Sequence, residues 1–79
     1  MTYEVLVADV AKATLATAPA AAKAAFERKR RQLLTDPHDA GRYVEKEDRY
    51  YGDMGEHGIV CYTIHDSVVR VVIWRVQFS

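Results

Sequence analysis

The feature that most constrains this chain is its last third, Gly58-Ile59-Val60-Cys61-Tyr62-Thr63-Ile64, then His65-Asp66-Ser67, then Val68-Val69-Arg70-Val71-Val72-Ile73-Trp74-Arg75-Val76-Gln77-Phe78. Two runs of β-branched and aromatic residues flank a short polar turn, the pattern of an antiparallel hairpin. In the first run Val60, Tyr62 and Ile64 share one face, and Ile59, Cys61 and Thr63 the other. In the second, strict alternation groups Val72, Trp74, Val76 and Phe78 on a bulky face and Val71, Ile73, Arg75 and Gln77 opposite. The bulky face is expected to take the helical cover, with Trp74 and Phe78 as core anchors. The Arg75–Gln77 face is expected to stay open to solvent or to a partner.

The rest of the chain supplies the cover. Tyr3 to Ala8 reads as a first strand with Tyr3, Val5 and Val7 on one side. Asp9 is placed to cap a short helix from Val10 to about Leu15. Thr17-Ala18-Pro19 ends that helix and opens a second, with Pro19 at its first position, where a missing N–H costs nothing. The second helix runs to about Leu34, is rich in alanine, and aligns Ala22, Phe26, Leu33 and Leu34 on one stripe. Asp36-Pro37 stops it, since proline disfavours helical geometry in the residue before it. Short strands are expected around Arg42–Val44 and Arg49–Tyr51, in a polar stretch punctuated by Gly41, Gly52 and Gly55. The switch from helical to two-residue periodicity specifies an α+β fold: two N-terminal helices packed on a small, twisted, mainly antiparallel sheet.

Seventy-nine residues allow one small domain, 1–79, whose thin core gains from a partner that covers apolar surface. The lone Cys61 forms no internal disulfide, and no Cys/His cluster has metal-site spacing. No cofactor or metal is expected, and Cys61 reads as a small hydrophobe. Without a leader pattern or a long apolar run, the chain reads as cytoplasmic, with no membrane partner. Eleven basic and eleven acidic residues cancel to a net charge of zero. They are nevertheless segregated: Lys23, Arg28, Lys29, Arg30 and Arg31 stand against Glu27 alone, whereas the segment from Asp36 to Glu56 is mostly acidic. A protein that grips RNA chiefly through phosphates would carry an overall basic field, and this one does not.

The order strand, two helices, Asp36-Pro37, Gly41-Arg42, and a hairpin with Tyr62 in its first strand resembles the RelE/ParE superfamily of bacterial toxins. The resemblance covers Tyr3 to Phe78. It implies the toxin component of a type II toxin-antitoxin system, acting by binding, with a cognate antitoxin as partner and the ribosome and its mRNA, or gyrase, as targets. In the ribosome-dependent members, basic residues on the concave sheet face promote attack of a ribose 2′-hydroxyl on the adjacent phosphate. Such chemistry needs a base for the hydroxyl and cations for the phosphorane charge. The arginine this family places three residues before the tyrosine is replaced here by Ile59, and the C-terminal tail with a further Arg and Tyr is absent. Two alternatives therefore stand beside a binding toxin: an endoribonuclease with a rearranged site, and a non-toxic interaction or homodimerisation module.

The residues a rearranged nuclease would use are Arg49, His57 and Arg75. Arg75 falls on the expected open face, and His57 is either a base near neutral pH or a solvated loop residue. Arg42, Lys46 and Tyr51 are candidate RNA contacts; of the adjacent Tyr50 and Tyr51, one should face the core and one a ligand. Lys23, Arg28 and Arg31 are the candidate contacts for an acidic antitoxin. His65, in the turn, is expected to be exposed.

Overall fold

The computed structural model describes residues 2–79. The elements run β1 (Glu4–Val7), α1 (Asp9–Ala16), α2 (Ala20–Thr35), β2 (Arg42–Val44), β3 (Arg49–Asp53), β4 (Gly58–His65) and β5 (Arg70–Phe78), with a 3-10 turn at Asp66–Val68. Among the described residues the strands form one sheet in the order β1-β5-β4-β3-β2. Every neighbouring pair is antiparallel except β1 with β5, which run parallel with Val5 beside Val71 and Val7 beside Ile73. This is the α+β architecture the periodicity specified.

Both helices lie against one side of the sheet. Ala11 of α1 and Ala25, Phe26 and Leu33 of α2 bury against Val60, Tyr62, Val71, Ile73 and Val76. Leu34 is only half-buried, so the apolar stripe of α2 is carried by Ala22, Ala25, Phe26 and Leu33. The alanines let α2 approach the sheet closely, and Phe26 and Leu33 fill the space between.

Two helix starts differ from the sequence reading. Ala8 occupies the cap position of α1 and makes no side-chain bond there, so Asp9 is the first helical residue rather than the cap. Its carboxylate still sits in the first turn, where the helix dipole favours a negative charge. Pro19 caps α2 in an extended conformation, one position earlier than expected.

The main correction concerns β5. The pairing runs Cys61 opposite Arg75, then Tyr62 opposite Ile73, so Trp74 is an extra residue in the strand. Such a bulge breaks the two-residue alternation. Val71 and Ile73 bury on the helix side before it, Val76 buries there after it, and Trp74 and Arg75 both turn to the open side. Trp74 is therefore not a core anchor: it is 39% exposed, and the helices cover the opposite face. Phe78 remains packed against the core. The hairpin turn also takes more chain than His65-Asp66-Ser67. Val68 belongs to the 3-10 turn, and Val69 adopts a left-handed conformation (φ 52°) to lead into β5.

Candidate functional site

Cross-strand partners share a face, so the pairings Arg42–Tyr51, Val44–Arg49, Tyr51–Cys61 and Cys61–Arg75 identify the residues of the open side. There Glu47, Arg49, Tyr51, Cys61, Trp74 and Arg75, with Val10 from α1, line a hollow of about 360 Å³. Three residues singled out from the sequence, Arg49, Tyr51 and Arg75, thus come together. β3 contributes the first two by alternation, and the bulge delivers the third beside Trp74.

Inside this hollow the Arg49 guanidinium lies over the Trp74 ring, 5.5 Å from its centroid. That is within cation–π range and holds the long side chain across the cleft. The indole Nε1 donates to Thr63 Oγ1 at 2.8 Å, and the same hydroxyl lies 2.8 Å from His65 Nε2. Among the described residues neither Arg49 nor Arg75 forms an ion pair. The Tyr51 hydroxyl donates to Glu47, which pushes its pKa up to about 12, chiefly because of that bond. Tyr51 is thus held as a neutral phenol. Two unpaired guanidiniums, a neutral phenol and an indole suit the binding of a planar, anionic ligand.

The other sequence candidates lie elsewhere. Arg42 is exposed on the same face of β2, one strand outward, and Lys46 lies in the exposed turn between β2 and β3. His57 does not join Arg49 and Arg75. It lines a separate hollow of about 400 Å³ with Arg28, Lys29 and Gln32 of α2, Asp53 at the end of β3 and Glu56 of the β3–β4 loop. Lys23 and Arg28 are exposed on α2, among the described residues without ion pairs. Arg31 is also exposed and stands 3.5 Å from Glu27, whose carboxylate is mainly held by Arg30 at 2.6 Å. Ile59, where the resemblance expects an arginine, is 45% exposed beside Tyr51, Cys61, Arg75 and Gln77. The position faces the open side but carries no charge.

The sequence reading missed a second polar cluster where β4 turns toward β5. Asp66 accepts from the Tyr3 hydroxyl at 2.7 Å and stands 3.2 Å from His38 Nε2, while His38 Nδ1 lies 3.2 Å from the Tyr50 hydroxyl. These bonds, first that of Tyr3 and then that of His38, hold the Asp66 carboxyl below its usual range. His38, next to Pro37, carried no periodicity signal that could have found it. Among the described residues no group of three His, Cys, Asp or Glu side chains is placed to hold a metal ion.

No family model matches the sequence, and no curated protein does. Solved structures do. A chain of the RelBE2 toxin-antitoxin complex from Mycobacterium tuberculosis matches with a TM-score of 0.91 at 24% identity, over 100% of both chains. The fold is that of the RelE toxins. A chain of the archaeal RelE–RelB complex from Pyrococcus horikoshii OT3 gives 0.80 at 20% identity, covering 99% of this chain and 96% of that one. The isolated RelE toxin of E. coli gives 0.81 at 16% identity, with 98% of this chain covering 84% of that one. On this RelE-like fold the Trp74–Arg49–Arg75 hollow occupies the sheet face the helices leave open. Among the described residues no helix is long and apolar enough to cross a membrane.

Proposed function

We propose that this chain is the toxin component of a type II toxin-antitoxin system, neutralised by a cognate antitoxin and acting on a ribosome-associated RNA target by binding. One observation carries the reading. On a fold that matches a RelBE2 chain over its whole length, two arginines with no ion pair among the described residues converge with an aromatic pair in a hollow on the open sheet face. Guanidiniums are suited to phosphate, and indole and phenol rings to bases. The hollow collects positive charge although the whole chain is neutral.

Cleavage is a weaker reading. Attack by a 2′-hydroxyl needs a group that accepts its proton. His57 lines a different hollow, and Tyr51 stays protonated to about 12. Glu47, already accepting from Tyr51, is the one carboxylate lining the hollow. The Arg49–Arg75 pair can hold a phosphate without activating a nucleophile against it.

The test is induced expression in a bacterial host, following growth, mRNA integrity and DNA supercoiling together. Growth arrest with little mRNA cleavage, relieved by co-expressing an adjacent small gene and weakened in Arg49→Ala and Arg75→Ala, is the expected result. Robust cleavage would promote the nuclease reading, and a change in supercoiling would redirect the target to gyrase. Unimpaired growth, with a stable homodimer that ignores the neighbour's product, would leave only a non-toxic interaction module.

A further inference from the structure

The bulge in β5 leaves a specific chemical signature on the open face. It turns out the only tryptophan of the chain, places it next to Arg75 in sequence, and sets it beneath the Arg49 guanidinium. An indole has one hydrogen-bond donor and no acceptor. Here that donor is already given to Thr63 Oγ1, whose hydroxyl also meets His65. The ring is therefore fixed in orientation and offers a ligand no hydrogen bond of its own. What it offers is the part of its ring that Arg49 leaves uncovered, the residue as a whole being 39% exposed, in a hollow with Arg75 and Tyr51.

A surface of that kind reads shape and stacking rather than base edges. Single strands bound by aromatic platforms and flanking cations are held with little sequence preference, because every base has a π face. We propose that Trp74 is the base-stacking platform of the hollow: it takes one unpaired nucleobase of single-stranded RNA, while Arg75 holds a phosphate next to that base. Arg49 keeps the ring in place from above and extends the stack. This inference rests on the reading that the hollow takes RNA, and it adds which residue receives the base and why selection there is by ring size. Purines, with the larger π surface, bind more tightly than pyrimidines at that position.

Because Trp74 is the only tryptophan, its fluorescence reports the contact directly. The full chain is titrated with hexaadenylate RNA, with hexauridylate RNA, and with a hexanucleotide of abasic sites that keeps the ribose-phosphate backbone. Binding is read in parallel by anisotropy of an end label. The expected result is saturable quenching by hexaadenylate, weaker quenching by hexauridylate, and abasic binding reduced roughly 10-fold or more with no quenching. Trp74→Leu should lose the preference for bases over abasic sites, while Trp74→Phe retains part of it. Arg75→Ala should weaken all three oligonucleotides alike and reduce the salt dependence.

Binding by anisotropy with no quenching, and equal affinity for abasic RNA, would overturn the role of Trp74 and leave the RNA reading intact. No binding of any oligonucleotide by a folded protein would overturn both. Trp74→Tyr guards against misfolding: it keeps an aromatic ring at the bulge, so a folded Tyr variant that discriminates bases no better than the Leu variant also refutes stacking.

Discussion

The Tyr62 hydroxyl donates to the Pro37 carbonyl at 2.7 Å, tying the centre of β4 to the point where α2 is stopped. Tyr62 is fully buried, and its ring stacks on Tyr50 with centroids 5.3 Å apart and planes 15° from parallel. Gly41 makes this possible, since a Cβ there would lie 2.7 Å from the Tyr62 oxygen and 2.9 Å from the Tyr51 carbonyl. Tyr62→Phe should cost roughly 1–3 kcal/mol by leaving a buried acceptor unpaired. Gly41→Ala should also destabilise, and the double mutant should lose less than the sum, because removing the hydroxyl removes one of the two clashes. Chemical denaturation of the four proteins measures this coupling, and strict additivity would contradict it.

The Asp66 cluster sets the acid side of the stability curve. Its carboxyl is held below the ordinary range by Tyr3 first and then His38. A group with a depressed folded-state pKa contributes stability that is present above the unfolded value of about 3.9 and is lost as pH falls through the lower folded value. Unfolding midpoints taken from pH 5 down to pH 2 should fall more steeply in the wild type than in Asp66→Asn. Parallel acid limbs in the two proteins would remove Asp66 from the account.

Tyr51 acts on the alkaline side with the opposite sign. Its pKa is pushed up to about 12, mainly by donation to Glu47. The contribution is whole below the unfolded value of about 10 and is lost as pH rises through about 12. In a spectroscopic phenol titration one late-titrating tyrosine should move toward 10 in Glu47→Gln and be missing in Tyr51→Phe, while Tyr62, pushed up by its burial, titrates late in every variant. The same Tyr51→Phe change should leave RNA affinity nearly unaltered, because the phenol acts as a ring and not as a base.

Charge reversal on α2 should separate association from folding. Arg28 is exposed without an ion pair among the described residues, and Arg31 stands 3.5 Å from Glu27 at 70% side-chain exposure. Exposed pairs of this type are worth about 0–1 kcal/mol, so Arg28→Glu with Arg31→Glu should lower the thermal midpoint by only a few degrees. If an acidic antitoxin docks here, the on-rate should fall several-fold and the salt dependence shrink, with a smaller change in dissociation. An unchanged on-rate would move the docking surface off this helix.

Much of the architecture could be read from periodicity, while the site could be read only in part. Alanine richness, Asp36-Pro37 and the β-branched runs identify the helices and the hairpin because each reflects a local backbone preference. Arg75 was reachable from strand parity, Arg49 through the resemblance, and Tyr51 only as one of two adjacent tyrosines facing opposite sides. Trp74 was not, since an inserted residue leaves no mark on composition: Ile73-Trp74-Arg75 contains no glycine or turn residue to signal the bulge. The same bulge explains why Arg75 and Val76 were placed correctly while Val71, Ile73 and Trp74 before them were inverted, as the expected alternation holds only beyond it. His38 escaped for a different reason. Its partners Tyr50 and Asp66 are 12 and 28 residues away, and a contact of that range leaves no periodic trace.

The parallel pairing of β1 with β5 has a kinetic consequence. Glu4 meets Arg70 across 66 residues, so forming this ladder closes nearly the whole chain into one loop, whereas β4 and β5 meet across the short Asp66–Val69 connection. Loop-closure entropy puts such a distant contact late in folding, after the hairpin has supplied an edge to join. Interactions formed after the transition state govern how fast the native state opens rather than how fast it is reached. Val5 and Val7 thus act as a clasp. Trimming either to alanine should speed unfolding with little change in refolding rate, and the first region to exchange its amide protons should be the strand that begins the chain.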